Sequence, residues 1–215
     1  MFPVRSHLKE DFIENIIKGR RSIRSFSSKS APQDLILKLI DAARWAPSAH
    51  NAQPWRFIII ADPEVKRRLA EAMASDWLRD LEKNHVPPED SRKLVEGSIK
   101  RFSEAPVLIV AAITMREMHK YPDRRRQRFE HLMATQSLAA AIQNILLAAH
   151  AEGLGACWFC APLFCQETVR KILKMPRDIE PQALITVGYP AESPEPPPRK
   201  PLKEIAFKDY WGANL

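Results

Sequence analysis

The sequence predicts an α+β fold, with a mixed or antiparallel sheet between layers of helices. Three observations carry that expectation. Helical and strand-like segments follow one another as ααβααβαβαβ, with several helices between strands and no regular βα alternation. Val107 to Thr114 is a run of branched, apolar residues suited to a central strand. Proline outnumbers glycine, 18 to 6, which favours stiff loops and leaves little room for a glycine-rich phosphate loop.

The elements follow in order. Leu8, Phe12, Ile13, Ile16 and Ile17 are spaced for one face of a helix, and Gly19 is placed to end it. A basic turn, RRSIRSF, comes next. Ser30, Pro32 and Gln33 read as an S-x-x-Q capping box with proline in the first turn. Leu35, Ile36, Leu39, Ile40 and Ala43 then form an apolar stripe that stops at Pro47. PSAHNAQP is an ordered loop, and Trp55 to Ala61 a buried strand. Asp62-Pro63 opens a helix to about Asn84, and another follows VPPED as far as Glu104. Arg116 to Arg128 reads as a mobile, basic connection. The helix from Gln127 to Ala151 is apolar nearly all round and should be the most buried. Gly153 and Gly155 end it. A strand at Ala156 to Phe159, a helix at Glu167 to Lys174 and a strand at Gln182 to Tyr189 complete the pattern. PAESPEPPPRKP should be extended and semi-rigid. Ile205, Phe207, Tyr210 and Trp211 make the tail too apolar to dangle in water, so it should pack on this subunit or a partner.

At 215 residues the chain is most simply one domain. Met1 to Lys9 has no apolar run fit for a secretory signal, and three cysteines make no disulfide framework, so a reducing cytoplasm is expected. No segment approaches the roughly 18 consecutive apolar residues of a membrane span. The net charge of +7 invites nucleic acid as a partner, but the cations are spread along the chain without a recognition motif. Neither G-x-G-x-x-G nor a P-loop occurs. The histidines show no ligand spacing, so no metal is expected, and no Ser-His-Asp arrangement can be argued.

Two stretches carry chemistry. Arg20, Arg21 and Arg24 surround Ser22, and guanidinium forks with a hydroxyl suit a phosphate; a solvated basic turn is the other reading. In WAPSAHNAQPW, prolines hold Ser48, Asn51 and Gln53 on a stiff backbone, and amides that donate and accept at once suit the edge of a planar heterocycle. Rigid loops of this kind also serve purely structural ends. His50 in the same loop is a possible acid or base.

RRSIRSF, APSAHNAQPWRFIII, AIQNILLAAHAEGLGACWF and VGYPAESPEPPPRKPL, in that order, resemble the nitroreductase family of FMN-dependent oxidoreductases. YPDRRRQRFEHLMATQS with GACWFCAPLF is most similar to the flavin-binding domain fused to gamma-glutamyl ligases of deazaflavin-coenzyme biosynthesis, although no ligase half is present. The resemblance implies a nitroreductase-like FMN-binding domain over residues 1–190, with residues 191–215 a proline-rich segment and arm of the same domain that packs on a partner. It implies a homodimer with flavin at the subunit interface. Arg20, Arg21 and Ser22 match residues that hold the phosphate and ribityl chain, and Arg24 a cation at the flavin's pyrimidine edge; Arg101 falls near a second such position. Pro47, Ser48, Ala49 and Asn51 match the loop that reaches the flavin from the other subunit. Arg199 and Lys200 match a C-terminal phosphate clamp, though Pro197 stands where many members carry lysine.

The resemblance further implies a ping-pong reaction: NADH or NADPH delivers hydride to FMN and leaves, and a small electron acceptor takes its place. Nitroaromatics and quinones are family substrates. The alternatives are reduction of an intermediate in deazaflavin-coenzyme maturation and a flavin-binding protein without turnover.

CWFCAPLFC holds all three cysteines. It lacks the ligands of a zinc site, and Cys157 falls in a predicted strand rather than at the helix start that a dithiol centre uses. The resemblance instead lays this backbone along the flavin's hydride-accepting edge. Pro162 has no N–H, so the donor is Ala161, Leu163 or a close neighbour, with Leu163 preferred and Cys160 and Pro162 lining the face.

Overall fold

Four strands, β1 (Trp55–Ile60), β2 (Val107–Thr114), β3 (Gly155–Phe159) and β4 (Ile179–Gly188), form an antiparallel sheet of order β1-β2-β4-β3. The structure, a computed structural model, describes residues 7–213. Among those residues the helices are α1 (His7–Gly19), α2 (Gln33–Arg44), α3 (Pro63–Lys83), α4 (Pro88–Glu104), α5 (Arg124–Ala151) and α6 (Gln166–Ile172).

The alternation of side chains along β2 divides the core in two. Val107, Ile109, Ala111 and Ile113 face α2 and α5, whereas Leu108 and Val110 face α3, α4 and α6. All eight residues of β2 are buried, as a strand covered on both faces requires. The result is three layers, helix–sheet–helix, the α+β arrangement expected. By length and composition α5 could cross a bilayer, but Leu138, Ile142, Ile145 and Leu146 are spent on the sheet and α2.

Local chemistry moves several boundaries. Ser30 does not cap α2: the chain is still extended at Pro32 (φ −58°, ψ 143°), and the Pro32 carbonyl accepts from the N–H groups of Leu35 and Ile36. The basic connection is shorter than expected, because Asp123 accepts from the Arg126 N–H at 2.9 Å and starts α5 at Arg124. β4 begins ahead of Gln182 and contains Pro181. A register shift opposite Ala111 and Ala112 accommodates the missing N–H.

Residues 22–23 run beside β3, and residues 25–27 beside residues 189–191. The Ile23 N–H donates to the Ala156 carbonyl at 3.1 Å, and Ser22 bridges Ala156 in parallel, so the sheet gains a mixed edge. Gly155 makes this approach possible: a Cβ there would lie 2.7 Å from the Ile23 side chain.

Apolar surface remains on two sides. Phe12, Ile13, Ile17 and Trp45 are exposed and line a groove of about 410 Å³ with Leu147 and Ala148. Tyr210 and Trp211 are 80% and 91% exposed, so these two rings are not buried against the described residues.

Candidate functional site

The basic turn is built from the end of α1. Arg21 fastens it: Nη1 donates to the carbonyls of Lys18, Gly19 and Arg20, and Nε to that of Pro194 at 3.2 Å. This leaves Nη2 as its free donor group. Glu192 Oε1 accepts from the backbone N–H groups of Arg24 and Ser25, at 2.5 and 3.0 Å. The proline-rich segment therefore holds the turn from outside while β3 holds it from within.

Four predicted residues converge on Cys157, which lies buried on β3. Burial pushes its thiol above the usual range, and Arg24, the Ser22 hydroxyl, Arg101 and Arg20 pull the other way. Arg101, placed only loosely by the sequence, is brought by the last turn of α4 within electrostatic reach of the same thiol. Its guanidinium stands 5.6 Å from the centre of the Phe159 ring. Among the described residues, no ion pair engages Arg20, Arg24 or Arg101.

A cavity of about 590 Å³ opens beside them, lined by Arg101, Cys160 and Ala161 with Trp77, Phe159 and Phe164. A smaller one, about 270 Å³, is lined by Arg20, Arg21, Gly155 and Glu192. Residues Ala161–Phe164 form a 3₁₀ turn in which Pro162 is buried. That turn overturns the preference for Leu163 as donor, since its N–H is already given to the Cys160 carbonyl at 3.0 Å. The N–H groups of Cys160 and Ala161 donate to no described residue, so Ala161 is still open as a main-chain donor. The thiols are packed groups: Cys165 is pushed up to about 11 by burial, and Cys160 alone is exposed.

The remaining predicted residues lie elsewhere. Pro47, Ser48, Ala49 and Asn51 line neither cavity. Their loop is held internally: Ser137 Oγ accepts from the Ala49 N–H at 3.2 Å, and Ser48 Oγ from the Gln53 N–H at 3.0 Å. His50, Asn51 and Gln53 all have positive φ, 58°, 53° and 46°. Arg199 donates to the carbonyls of Pro197 and Pro198 in its own segment. Neither it nor Lys200 is hydrogen-bonded to the basic turn.

One cluster escaped sequence reasoning. His50 stacks on His119 with ring centroids 3.8 Å apart, and both meet Glu130, whose side chain is 2% exposed. Glu130 Oε1 lies 3.3 Å from His50 Nε2, and Oε2 accepts from the His119 N–H at 3.2 Å. The partners lie 80 and 11 residues from Glu130, so no local spacing announces them.

Comparison with known proteins gives one consistent result. The model of the nitroreductase family matches residues 17–189. A protein of Methanothermobacter thermautotrophicus, provisionally named NADH dehydrogenase/NAD(P)H nitroreductase, is 33% identical over 188 residues, which cover 86% of this chain and 81% of that one. Iodotyrosine deiodinase 1 of Sus scrofa is 30% identical over 201 residues, covering 91% and 68%. A BluB-like flavoprotein from Clostridium difficile 630 superimposes with a TM-score of 0.78 at 25% identity, covering 92% of this chain and 99% of that one.

Proposed function

The chain belongs to the nitroreductase family, and from that premise we propose that it is an FMN-dependent NAD(P)H oxidoreductase acting on small aromatic acceptors such as nitroaromatics or quinones. The observation that carries the proposal is the gathering of Arg20, Arg24 and Arg101, without an ion-pair partner among the described residues, around one sheet edge beside an aromatic-lined cavity. Arg20 is half-buried and Arg24 and Arg101 are exposed, and cations gathered without counter-ions fit an anionic ligand that brings several acceptors.

FMN meets that requirement. Its phosphate would take Arg20, Ser22 and the free Nη2 of Arg21, while Arg24 and Arg101 would sit by its electron-accepting ring. When bound, FMN supplies the hydride and electron chemistry of the reaction, and the chain supplies orientation and electrostatics. Arg24 and Arg101 lower the cost of negative charge in the site. The Ala161 N–H offers a hydrogen bond to a ring nitrogen, and Trp77, Phe159 and Phe164 exclude water and offer faces to a planar acceptor. No side-chain nucleophile is required.

The loop 47–53 lines neither cavity of its own chain, so its contact to the cofactor comes from a second copy. The exposed groove of Phe12, Ile13, Ile17 and Trp45 and the exposed tail are the surfaces such a homodimer would cover. Residues 1–190 and the arm 191–215 then act as one domain, with Arg199 and Lys200 completing the phosphate clamp.

The test has two stages. Titration with FMN should give a yellow complex of one flavin per chain; a protein that takes up none refutes the proposal. Anaerobic NADH or NADPH should then bleach the flavin absorbance, and a complex that neither bleaches is a flavin binder and not a reductase.

A further inference from the structure

We propose that His50, His119 and Glu130 form a binding site for a divalent transition metal of the zinc class, away from the basic turn and its two cavities. The three side chains bring two imidazoles and a carboxylate together, with one ligand atom from each lying within 4.8 Å of the others. Two nitrogens and one carboxylate oxygen are the donor set of a zinc centre that keeps one position open for water.

The electrostatics of Glu130 point the same way. Its side chain is 2% exposed, and its ion-pair contact among the described residues is His50 alone. No lysine or arginine is drawn to it, although Arg124, Arg125, Arg126 and Arg128 occupy the preceding turn and a half of α5. A buried carboxylate needs a paired charge or a metal. The two imidazoles stack beside it with ring centroids 3.8 Å apart, and a dication shared by both rings and the carboxylate supplies that charge.

The backbone is arranged for it. His50 stands at φ 58°, the left-handed region that non-glycine residues seldom adopt, and this turns its ring toward α5. Bonds near 2 Å in a tetrahedral centre put ligand atoms about 3.3 Å apart, so the widest pair, within 4.8 Å, must close by up to about 1.5 Å. Both histidines are exposed, so the adjustment falls on their rings and not on the buried carboxylate. The metal would tie the loop carrying Ala49 and Asn51 to the first turns of α5. It would thereby set the position of the segment that the proposed second copy presents to the flavin.

Cobalt(II) is the probe. Untagged protein, dialysed against a chelator, is titrated with Co²⁺ and then with Zn²⁺. The expected result is one Co²⁺ per chain with intense visible d–d bands, displaced by Zn²⁺. Glu130→Gln preserves shape, and His119→Ala removes an exposed side chain, so both variants should fold. Each should weaken binding by more than the roughly 10–100-fold that losing an outer partner costs. Absence of the bands, binding undiminished in the variants, or the near-ultraviolet charge transfer of a cobalt–thiolate bond at Cys160 would each overturn the assignment. The readout does not require flavin, so its failure is distinct from failure of the reductase proposal.

Discussion

Replacing Gly155 by alanine should loosen the basic turn, and its size can be worked from the structure. The new Cβ would lie 2.7 Å from Ile23 Cβ, 2.7 Å from Cγ2 and 2.8 Å from Cγ1. Carbon atoms settle at about 3.5–4.0 Å, so a gap near 1 Å must open. Rotation about χ1 cannot open it, because Ile23 Cβ itself is among the clashing atoms. The backbone of residues 22–24 has to move, straining the Ile23 N–H bond to Ala156. Overpacking of this kind costs about 1–3 kcal/mol. Urea denaturation should show that loss as a lower midpoint at constant slope, and FMN affinity should fall with it because Ser22 and Arg24 flank Ile23. Gly97 provides the control: a Cβ there meets nothing within 4 Å, in the exposed middle of α4. Gly97→Ala should stabilise by up to about 1 kcal/mol. Combining Gly155→Ala with Ile23→Ala removes two of the three clashing atoms and should recover about 0.5–3 kcal/mol relative to additivity. If Gly155→Ala changes neither the urea midpoint nor flavin affinity, residues 22–24 are not held against β3 as described.

Three further outcomes follow from the same geometry. Arg20→Ala should weaken FMN binding by roughly 1.5–3 kcal/mol, the worth of one charge-assisted contact; equal retention on a flavin titration would remove Arg20 from the site. Near neutral pH a thiolate-seeking reagent should label Cys160 fast, while Cys157 and Cys165 react only on unfolding. Their raised thiol pKa values keep them protonated through the neutral range and up toward pH 11 for Cys165; rapid loss of all three thiols in folded protein contradicts this. Ile13→Asp places a charge in the exposed groove of α1 and should shift sedimentation toward monomer, and an unchanged dimer would show that another face forms it.

What the sequence disclosed depended on how local the governing interaction is. β2 was legible to the residue because seven of its eight positions are apolar and every one is buried. The order of elements followed from the same periodicities. The start of β4 was not legible, since Pro181 argues against a strand unless one knows that a bulge receives it. Ser30 had the residue types of a capping box but sat two positions before the turn into α2. Leu163 was preferred as a donor on position alone, and only the 3₁₀ turn shows its N–H already used. Arg101 joined Arg20 and Arg24 through tertiary packing, and His50, His119 and Glu130 met by the same means.

The loop 47–53 shows how those long-range contacts are organised. Three non-glycine residues at positive φ within four positions cost of order 1–3 kcal/mol each, less for Asn51. Such backbone persists only where its surroundings over-determine it. Here Ser137 fixes the Ala49 N–H, Ser48 fixes the Gln53 N–H, and Glu130 fixes His50. All three supports bypass the chain's own cavities, and two of them come from α5. A loop stiffened in this way toward its own core presents its outer polar groups at low further entropic cost to whatever lies outside. The basic turn is built on the opposite plan, with Arg21 and Glu192 spent on backbone and Arg20, Arg24 and Arg101 left without an ion-pair partner among the described residues. One surface is rigid and complete and the other is charged and unsatisfied. In the proposed dimer they would be complementary halves, each chain supplying one half to its partner.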